Sequence, residues 1–148
     1  MRAVVQRAAW ARVSVGGELV GSLDGPGLVV LLGVTYGDGE SDAAAIASKL
    51  WNLRIFEDGA GRMNRSVAEV GGGLLVISQF TLYADTSKGR RPSFAATAPG
   101  DVAEPLVGLV VEHLRALGAS VSTGRFGAKM LVELANDGPV TVIVDTAR

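Results

Sequence analysis

The stretch Asn136-Asp137-Gly138-Pro139-Val140-Thr141 lies between two segments that alternate in the manner of β-strands, residues 130–135 and 140–145. Asp-Gly between such segments predicts a β-hairpin, because both residues tolerate the positive φ of a tight turn. The proline is unusual there, since it removes a backbone donor where the returning strand begins. Two interpretations follow. Gly138-Pro139 is an ordinary hairpin end, or it presents its backbone to something else, in which case its peptide bond is a candidate for the cis form.

The composition predicts one globular domain over residues 1–148, since apolar residues make up 48% and charged residues 20% of the chain. A chain of this size buries roughly 68–70% of its unfolded surface. No apolar run reaches the ~18 residues that a membrane span needs. The charged start at residues 1–7 lacks the apolar core of a signal peptide, so we expect a cytoplasmic protein. The formal net charge of −1 argues against a general nucleic-acid binder but allows a small contact.

Apolar periodicity predicts an α+β fold with mostly antiparallel strands and two main helices. The first helix is expected to begin at a Ser41 cap and the second at an Asp101 cap, and Gly118 is expected to end the second. The first strand is expected to be bulged near Ala8. The predicted strands cover residues 4–15, 18–23, 28–32, 54–57, 74–83, 120–123 and the two halves of the closing hairpin.

Few residues are available for the usual catalytic chemistries. The chain has no cysteine and one histidine, His113, which argues against a thiol nucleophile, a Ser-His-Asp triad and a histidine-rich metal site. His113 falls on or near the apolar stripe of the second helix, where a position at the edge of the core is expected. Arg7 and Arg12 lie on the first strand and are expected to be solvated edge charges.

The best candidate for a polar site is the end of the apolar strand at residues 74–83, where Ser78, Gln79 and Thr81 interrupt it. On an ideal strand Gln79 and Thr81 share one face, while Ser78 and Phe80 share the other. Hydroxyls without a neighbouring base are weak nucleophiles. Such a site is expected to act through hydrogen bonds and backbone N–H groups that stabilise an oxyanion, with water or the substrate as the attacking group. An ordinary polar strand end is the alternative.

Two segments together resemble the signatures of the D-aminoacyl-tRNA deacylase family. Ser78-Gln79-Phe80-Thr81-Leu82 resembles the first signature, and the stretch at residues 136–141 resembles the second. Either motif alone is weak, but both in this order and at this spacing are specific. The resemblance extends over the whole chain and includes Val5-Gln6-Arg7, Arg54-Ile55-Phe56, Met63-Asn64, Asp85-Thr86, Arg91-Pro92-Ser93-Phe94 and Thr123-Gly124-Arg125-Phe126.

The resemblance implies that the mostly antiparallel sheet forms a barrel-like core. It also implies a homodimeric hydrolase that cleaves the ester between a D-amino acid and the 3′-terminal adenosine of tRNA. It also implies action on glycine mischarged on alanine tRNA. Gly138-Pro139 would be cis and would reach into the partner subunit's pocket, where it leaves no room for an L side chain. Ser78, Gln79, the Phe80 backbone N–H and Thr81 would line the pocket that holds the ester and its oxyanion. The terminal 2′-hydroxyl of the substrate would assist attack, and Thr81 as a covalent nucleophile is the alternative.

The same resemblance suggests how tRNA is held. Phe126 and Met130 would border the terminal adenine, with core packing as the alternative. Lys88, Arg90 and Arg91 would contact acceptor-stem phosphates, with a solvated loop as the alternative. Neither a cofactor nor a metal is expected. Two rival functions stay open, namely a non-catalytic RNA-binding module that uses the basic loop and a structural homodimer whose closing hairpin is only an interface.

Overall fold

Strand β1 (Arg2–Val15) organises the sheet in the computed structural model, which describes residues 1–147. Three strands pair with β1, all of them antiparallel: β2 (Glu18–Leu23), β3 (Gly27–Gly33) and β8 (Leu131–Asp145). Strand β3 pairs with the first half of β1 and β2 with the second half, while β8 pairs along nearly its whole length. The pairing of β1 with β8 shifts register around Ala8, which confirms the bulge expected in β1.

Two parallel strands extend this sheet beyond β3. Strand β6 (Gly73–Ser78) pairs with β3, and β7 (Val121–Thr123) pairs with β6. The sheet curls until β2 meets β7, where a Cβ on Gly21 would collide with the Thr123 carbonyl oxygen. The result is a nearly closed mixed sheet whose central pairs are antiparallel, which confirms the predicted barrel-like α+β class.

Two long helices, α1 (Glu40–Asn52) and α3 (Gly100–Ala116), cover one face of the sheet. Ile46 and Leu50 of the first and Val110 and Leu114 of the second are fully buried, each contributing about 1.5–3 kcal/mol of apolar burial. His113 is half-buried on the second helix, at the edge of this core as expected. None of the helices within residues 1–147 is long and apolar enough to cross a membrane. The remaining elements are the short helix α2 (Val67–Val70) and the small hairpin of β4 (Phe56–Glu57) and β5 (Met63–Arg65).

Both helix caps lie two residues before the predicted positions. Gly39, not Ser41, is the N-cap of α1, and its backbone N–H donates to the Asp42 carboxylate over 2.9 Å. Pro99 is the N-cap of α3, so Asp101 lies inside the first turn instead of capping it. A carboxylate in the first turn still interacts favourably with the helix dipole, which explains why the sequence signal was nearly correct.

The predicted closing hairpin is wrong, because residues 131–145 form the single strand β8. Both halves of β8 pair with the continuous strand β1, so the chain does not reverse direction between them. The interruption is a bulge, since Asn136 pairs with Ala8 and Thr141 pairs with Gln6, which leaves residues 137–140 opposite Arg7 alone. The Asn136 side chain closes the base of the bulge. It accepts from the Val140 N–H over 3.2 Å and donates to the Thr141 hydroxyl over 3.0 Å.

The predicted strand at residues 74–83 is also shorter than expected. Strand β6 ends at Ser78, and residues Phe80–Tyr83 form a 3₁₀ turn. The Gln79 N–H still donates to the Leu32 carbonyl over 2.8 Å, but the chain then turns away from the sheet. The alternation predicted for Gln79, Phe80 and Thr81 therefore does not apply, because side chains in a 3₁₀ turn follow a period of three and not two.

Candidate active site

Ser78 lies where three cavities meet. It is the last residue of β6 and is paired with Leu32 of β3. We call these spaces the inner cavity, of about 290 Å³, the Met130 cavity, of about 200 Å³, and the α3 groove, of about 350 Å³. Ser78 lines all three. A group bound at this residue is therefore reached from three directions.

The inner cavity is walled mostly by apolar side chains, including those of Leu32, Val34, Ala103, Val107 and Phe126. Gln79, Phe80 and Thr97 form its polar and backbone rim. Apolar walls with a few converging polar groups are typical of a cavity that takes a flat organic ring and fixes its orientation.

The other two spaces each share lining residues with the inner cavity. The Met130 cavity lies beside Ile77, Gln79, Phe80, Gly127 and Met130, and the α3 groove runs between helix α3 and strands β6 and β7. Phe126 lines the inner cavity and the α3 groove, whereas Met130 lines only the Met130 cavity of the three. The two residues expected to border one adenine thus face different spaces.

The backbone after Ser78 aims an N–H group away from the sheet. The Gln79 carbonyl accepts from the Leu82 N–H over 3.3 Å, and its oxygen lies on the β3 side, where a Cβ on Gly33 would be 3.1 Å away. In a trans peptide the C=O and N–H bonds point in opposite directions, so the Phe80 N–H points away from β3. Phe80 is also the first residue of its 3₁₀ turn, and such an N–H has no acceptor within the turn. Its orientation suits it to donate to a bound oxygen.

Phe80 is held from a second side by the segment that leads into α3. The Thr97 hydroxyl donates to the Phe80 carbonyl over 3.1 Å, and the Phe94 ring packs edge-on against the Phe80 ring at a centroid distance of 5.2 Å. The Gln79 side-chain amide donates to the Thr81 hydroxyl. Thr81 itself is exposed and lines none of the three cavities, so the structure brings together Ser78, Gln79 and Phe80 but leaves Thr81 outside.

Gly138-Pro139 lies at the tip of the β8 bulge and is the one cis peptide bond within residues 1–147. Both residues are exposed, and neither lines any of the three cavities around Ser78. The φ of Gly138 is +129°, and a Cβ there would lie 2.7 Å from the Val140 side chain, so only glycine fits. Within one chain, the two signature motifs are therefore separate.

Arg7 supports this bulge and was missed by the sequence analysis, which expected a solvated charge. Its side chain is only 7% exposed. Its Nε donates to the Asp137 carbonyl over 3.1 Å, and its Nη1 donates to the buried Ile55 carbonyl over 2.8 Å. The carboxylates of Asp137 and Glu57 lie 3.6 and 4.0 Å from the guanidinium. Arg12, in contrast, is exposed as expected and forms an ion pair with Glu133 at 3.2 Å.

The basic loop of Lys88, Arg90 and Arg91 is fully at the surface. Its base is closed by two backbone hydrogen bonds between Asp85 and Ser93, of 2.8 and 2.9 Å. The pKa of Asp85 is held below its ordinary value, mainly by the Ser87 hydroxyl. Since Phe94 follows directly and packs on Phe80, the loop is connected to the candidate site through one short segment.

No carboxylate or histidine lines the inner cavity or the Met130 cavity. The nearby Tyr83 hydroxyl is buried without a hydrogen-bond partner within residues 1–147, and burial raises the pKa of Tyr83 to about 12. It therefore stays protonated at neutral pH and does not act as a base. Within residues 1–147, the inner cavity and the Met130 cavity offer hydrogen-bond donors and hydroxyls, whereas the carboxylates of Glu104 and Glu112 line the α3 groove.

The sequence of this chain matches the model of a known family over nearly its whole length. The sequence model described as D-Tyr-tRNA(Tyr) deacylase matches residues 4–145. That match defines the class, an aminoacyl-tRNA ester hydrolase. The chain belongs to the D-Tyr-tRNA(Tyr) deacylase family.

Curated relatives agree with this assignment. A D-aminoacyl-tRNA deacylase from Roseiflexus sp. (strain RS-1) is 58% identical over 147 residues, covering 99% of this chain and 94% of the relative. One from Thermobifida fusca (strain YX) is 59% identical over 145 residues, covering 98% and 99%.

Among solved structures, one titled c-Myc DNA Unwinding Element Binding Protein superposes with a TM-score of 0.92 at 38% identity, covering 99% of both chains. A probable eukaryotic D-amino acid tRNA deacylase superposes with a TM-score of 0.82 and covers 97% of both chains. Its identity is 16%, so it supports the fold alone.

Proposed function

We propose that this protein hydrolyses the ester between a D-amino acid and the 3′-terminal adenosine of tRNA. The observation that carries the proposal is the position of Ser78 at the junction of three cavities, beside a Phe80 N–H that points away from the sheet. An ester carbonyl at this junction would place its developing oxyanion against the N–H and the Ser78 hydroxyl, which is how acyl-transfer sites lower their barrier.

The chemistry uses water and the substrate instead of a protein base. Water adds to the ester carbonyl carbon, the bond to the 3′-oxygen breaks, and the proton that water loses ends on that oxygen. The adjacent 2′-hydroxyl of the terminal ribose assists the proton transfer, which fits cavities lined by no carboxylate or histidine. Thr81 as a covalent nucleophile is less consistent with the geometry, since Thr81 lies outside these cavities.

The terminal adenine is assigned to the inner cavity, where the Phe126 ring and the aliphatic walls can contact its faces. Stacking of a base on an aromatic ring contributes about 1–3 kcal/mol. Met130 then borders the ester side instead of the adenine, because it faces the Met130 cavity. Lys88, Arg90 and Arg91 are exposed beside this site and are assigned to acceptor-stem phosphates.

The active form is proposed to be a homodimer in which Gly138-Pro139 enters the partner subunit's pocket. In support, the pair is exposed, is held by Arg7 and lies outside the cavities of its own chain. A rigid backbone element facing the α-carbon excludes an L side chain and admits a D side chain or glycine. On this basis glycine mischarged on alanine tRNA is also a proposed substrate. The proposed location is the cytoplasm, because tRNA is charged there.

The central experiment compares D-tyrosyl-tRNA with L-tyrosyl-tRNA at the same concentrations. We expect ester loss from the D substrate and at least a hundredfold slower loss from the L substrate, a factor that corresponds to roughly 2.7 kcal/mol. Equal rates on the two substrates, or no turnover of either, would remove the proposal. Salt-sensitive binding of tRNA without ester loss would instead indicate the non-catalytic RNA-binding alternative.

A second experiment tests the role of the substrate hydroxyl. D-tyrosyl-tRNA that ends in 2′-deoxyadenosine is expected to react much more slowly than the natural substrate, because it lacks the group that assists proton transfer. The Thr81→Val variant is the matched control and should retain most activity on natural substrate. Unchanged turnover of the deoxy substrate together with an inactive Thr81→Val variant would favour the covalent mechanism.

A further inference from the structure

The α3 groove is a second space that opens from the inner cavity. The two spaces share Ser78, Val107 and Phe126, so the Phe126 ring forms part of the wall between them. The groove, of about 350 Å³, is more polar than the inner cavity, because Glu104, Glu112 and Arg115 all line it. It is large enough for a nucleobase, and the proposed catalytic step makes no use of it.

The covalent connections of the terminal adenosine indicate which part of the substrate each neighbouring space would hold. A terminal adenosine in the inner cavity carries its ester on the 3′-oxygen and continues through its 5′-phosphate to the preceding nucleotide. These two groups leave the ribose in different directions, and two spaces adjoin the inner cavity. Gln79 and Phe80 line both the inner cavity and the Met130 cavity but not the α3 groove, so the Met130 cavity adjoins the group proposed to bind the ester. The α3 groove is left for the nucleotide.

We propose that the α3 groove binds the penultimate nucleotide of the tRNA acceptor end and prefers a cytosine base. The assignment rests on the proposed function, since it places the terminal adenosine in the inner cavity.

The charges on the groove wall suit this base. The Arg115 side chain lines the groove, and one nitrogen of its guanidinium donates to the Val121 carbonyl over 3.1 Å. Within residues 1–147 neither Glu104 nor Glu112 forms an ion pair, so the groove offers both acceptors and donors. Carboxylates accept from the cytosine amino group, and a guanidinium donates to its ring carbonyl. The two carboxylates repel a phosphate, so the base and not the backbone occupies the groove.

Gly108 provides a direct way to fill the groove. It lies on α3 between Glu104 and Glu112, lines the groove, and a Cβ added there would meet nothing within 4 Å. Because the position is exposed and helical, replacing glycine also removes a residue with poor helix propensity. Gly108→Phe therefore occupies the groove without disturbing the core. Ala116→Phe is the matched control, because Ala116 is exposed on the same helix and lines none of the three cavities.

The test compares two substrates with the full-length protein, D-tyrosyl-adenosine and D-tyrosyl-cytidylyl-adenosine. With Gly108→Phe we expect the ratio of kcat/KM for the dinucleotide to that for the nucleoside to fall about tenfold, mostly through KM. The ratio is expected to stay at the wild-type value in Ala116→Phe. A Gly108→Phe ratio within twofold of the wild type would overturn the inference, as would an equal fall in Ala116→Phe.

A second measurement checks base preference. Wild-type protein should favour cytidine over uridine at the penultimate position by about tenfold, because uridine presents an acceptor where cytidine presents an amino donor. The Glu112→Gln and Glu104→Gln variants together should reduce that preference. No preference in the wild type would contradict the cytosine assignment. Wild-type protein that hydrolyses neither substrate would instead refute the proposed function, so the two failures are distinguishable.

Discussion

Replacing Arg7 by methionine tests how the bulge that carries Gly138-Pro139 is held. The guanidinium makes two charge-assisted hydrogen bonds to backbone carbonyls, those of Ile55 and Asp137. Hydrogen bonds to charged groups contribute about 1.5–3 kcal/mol each. Asp137 is exposed, so water can replace the arginine at its carbonyl, whereas Ile55 is buried. Methionine keeps much of the apolar stem packing. We therefore expect the free energy of unfolding to fall by about 3 kcal/mol, which is the lower end of the summed range for the two hydrogen bonds.

The two neighbouring carboxylates are expected to matter less. The side chains of Glu57 and Asp137 are 62% and 60% exposed, and exposed ion pairs contribute about 0–1 kcal/mol. The Glu57→Gln variant should therefore lose less than about 1 kcal/mol. Arg7→Lys keeps the charge but not the planar fork, and should fall between the wild type and Arg7→Met.

The assay is urea unfolding followed by tryptophan fluorescence, at one fixed protein concentration because the stability of the proposed dimer would depend on concentration. The same variants are then assayed on L-tyrosyl-tRNA, where Arg7→Met is expected to raise hydrolysis relative to D-tyrosyl-tRNA as the bulge loosens. An Arg7→Met variant within about 0.5 kcal/mol of the wild type would refute the reasoning. So would a Glu57→Gln variant that loses as much stability as Arg7→Met, because the carboxylates would then dominate.

Three further predictions concern the support of the site and the chain ends. Thr97→Val removes the donor to the Phe80 carbonyl, worth about 0.5–1.5 kcal/mol, so kcat should fall about two- to tenfold with little change in KM, and Thr97→Ser should restore it. Gly33→Ala places a Cβ 3.1 Å from the Gln79 carbonyl oxygen, so we expect a lower urea midpoint, by about 1–3 kcal/mol of stability, and a lower kcat. The pKa of Asp145 is lowered from 3.8, first by the Ala147 N–H, so its contribution to stability is present above about pH 4 and lost as the pH falls through the folded pKa. Asp145→Asn should flatten the acid limb of a stability–pH curve, and an unchanged acid limb would show that other groups control it.

Much of the fold could be predicted from local sequence patterns. The alternating and apolar runs located β2, β3 and β7 closely, and the apolar periodicity located the two long helices α1 and α3, because periodicity reports which face of an element is covered. The same patterns failed where pairing with a distant strand overrides the local propensity for a turn. Asp137-Gly138 fits a hairpin turn by its residue types, yet β1 pairs with both flanking segments and keeps the chain in one direction.

The sequence alone therefore determined which residue types carry the chemistry. The absence of cysteine, the single histidine, the polar end of β6 and the Gly138-Pro139 pair were all visible without coordinates. Only the tertiary structure decided how they are arranged. It turned the predicted hairpin into a bulge, excluded Thr81 from the cavities and buried Arg7 beneath Asp137, which lies 130 residues away in the chain. The physical reason is that propensity and periodicity act over a few residues, whereas strand pairing and the burial of a charge depend on segments that meet only when the barrel closes.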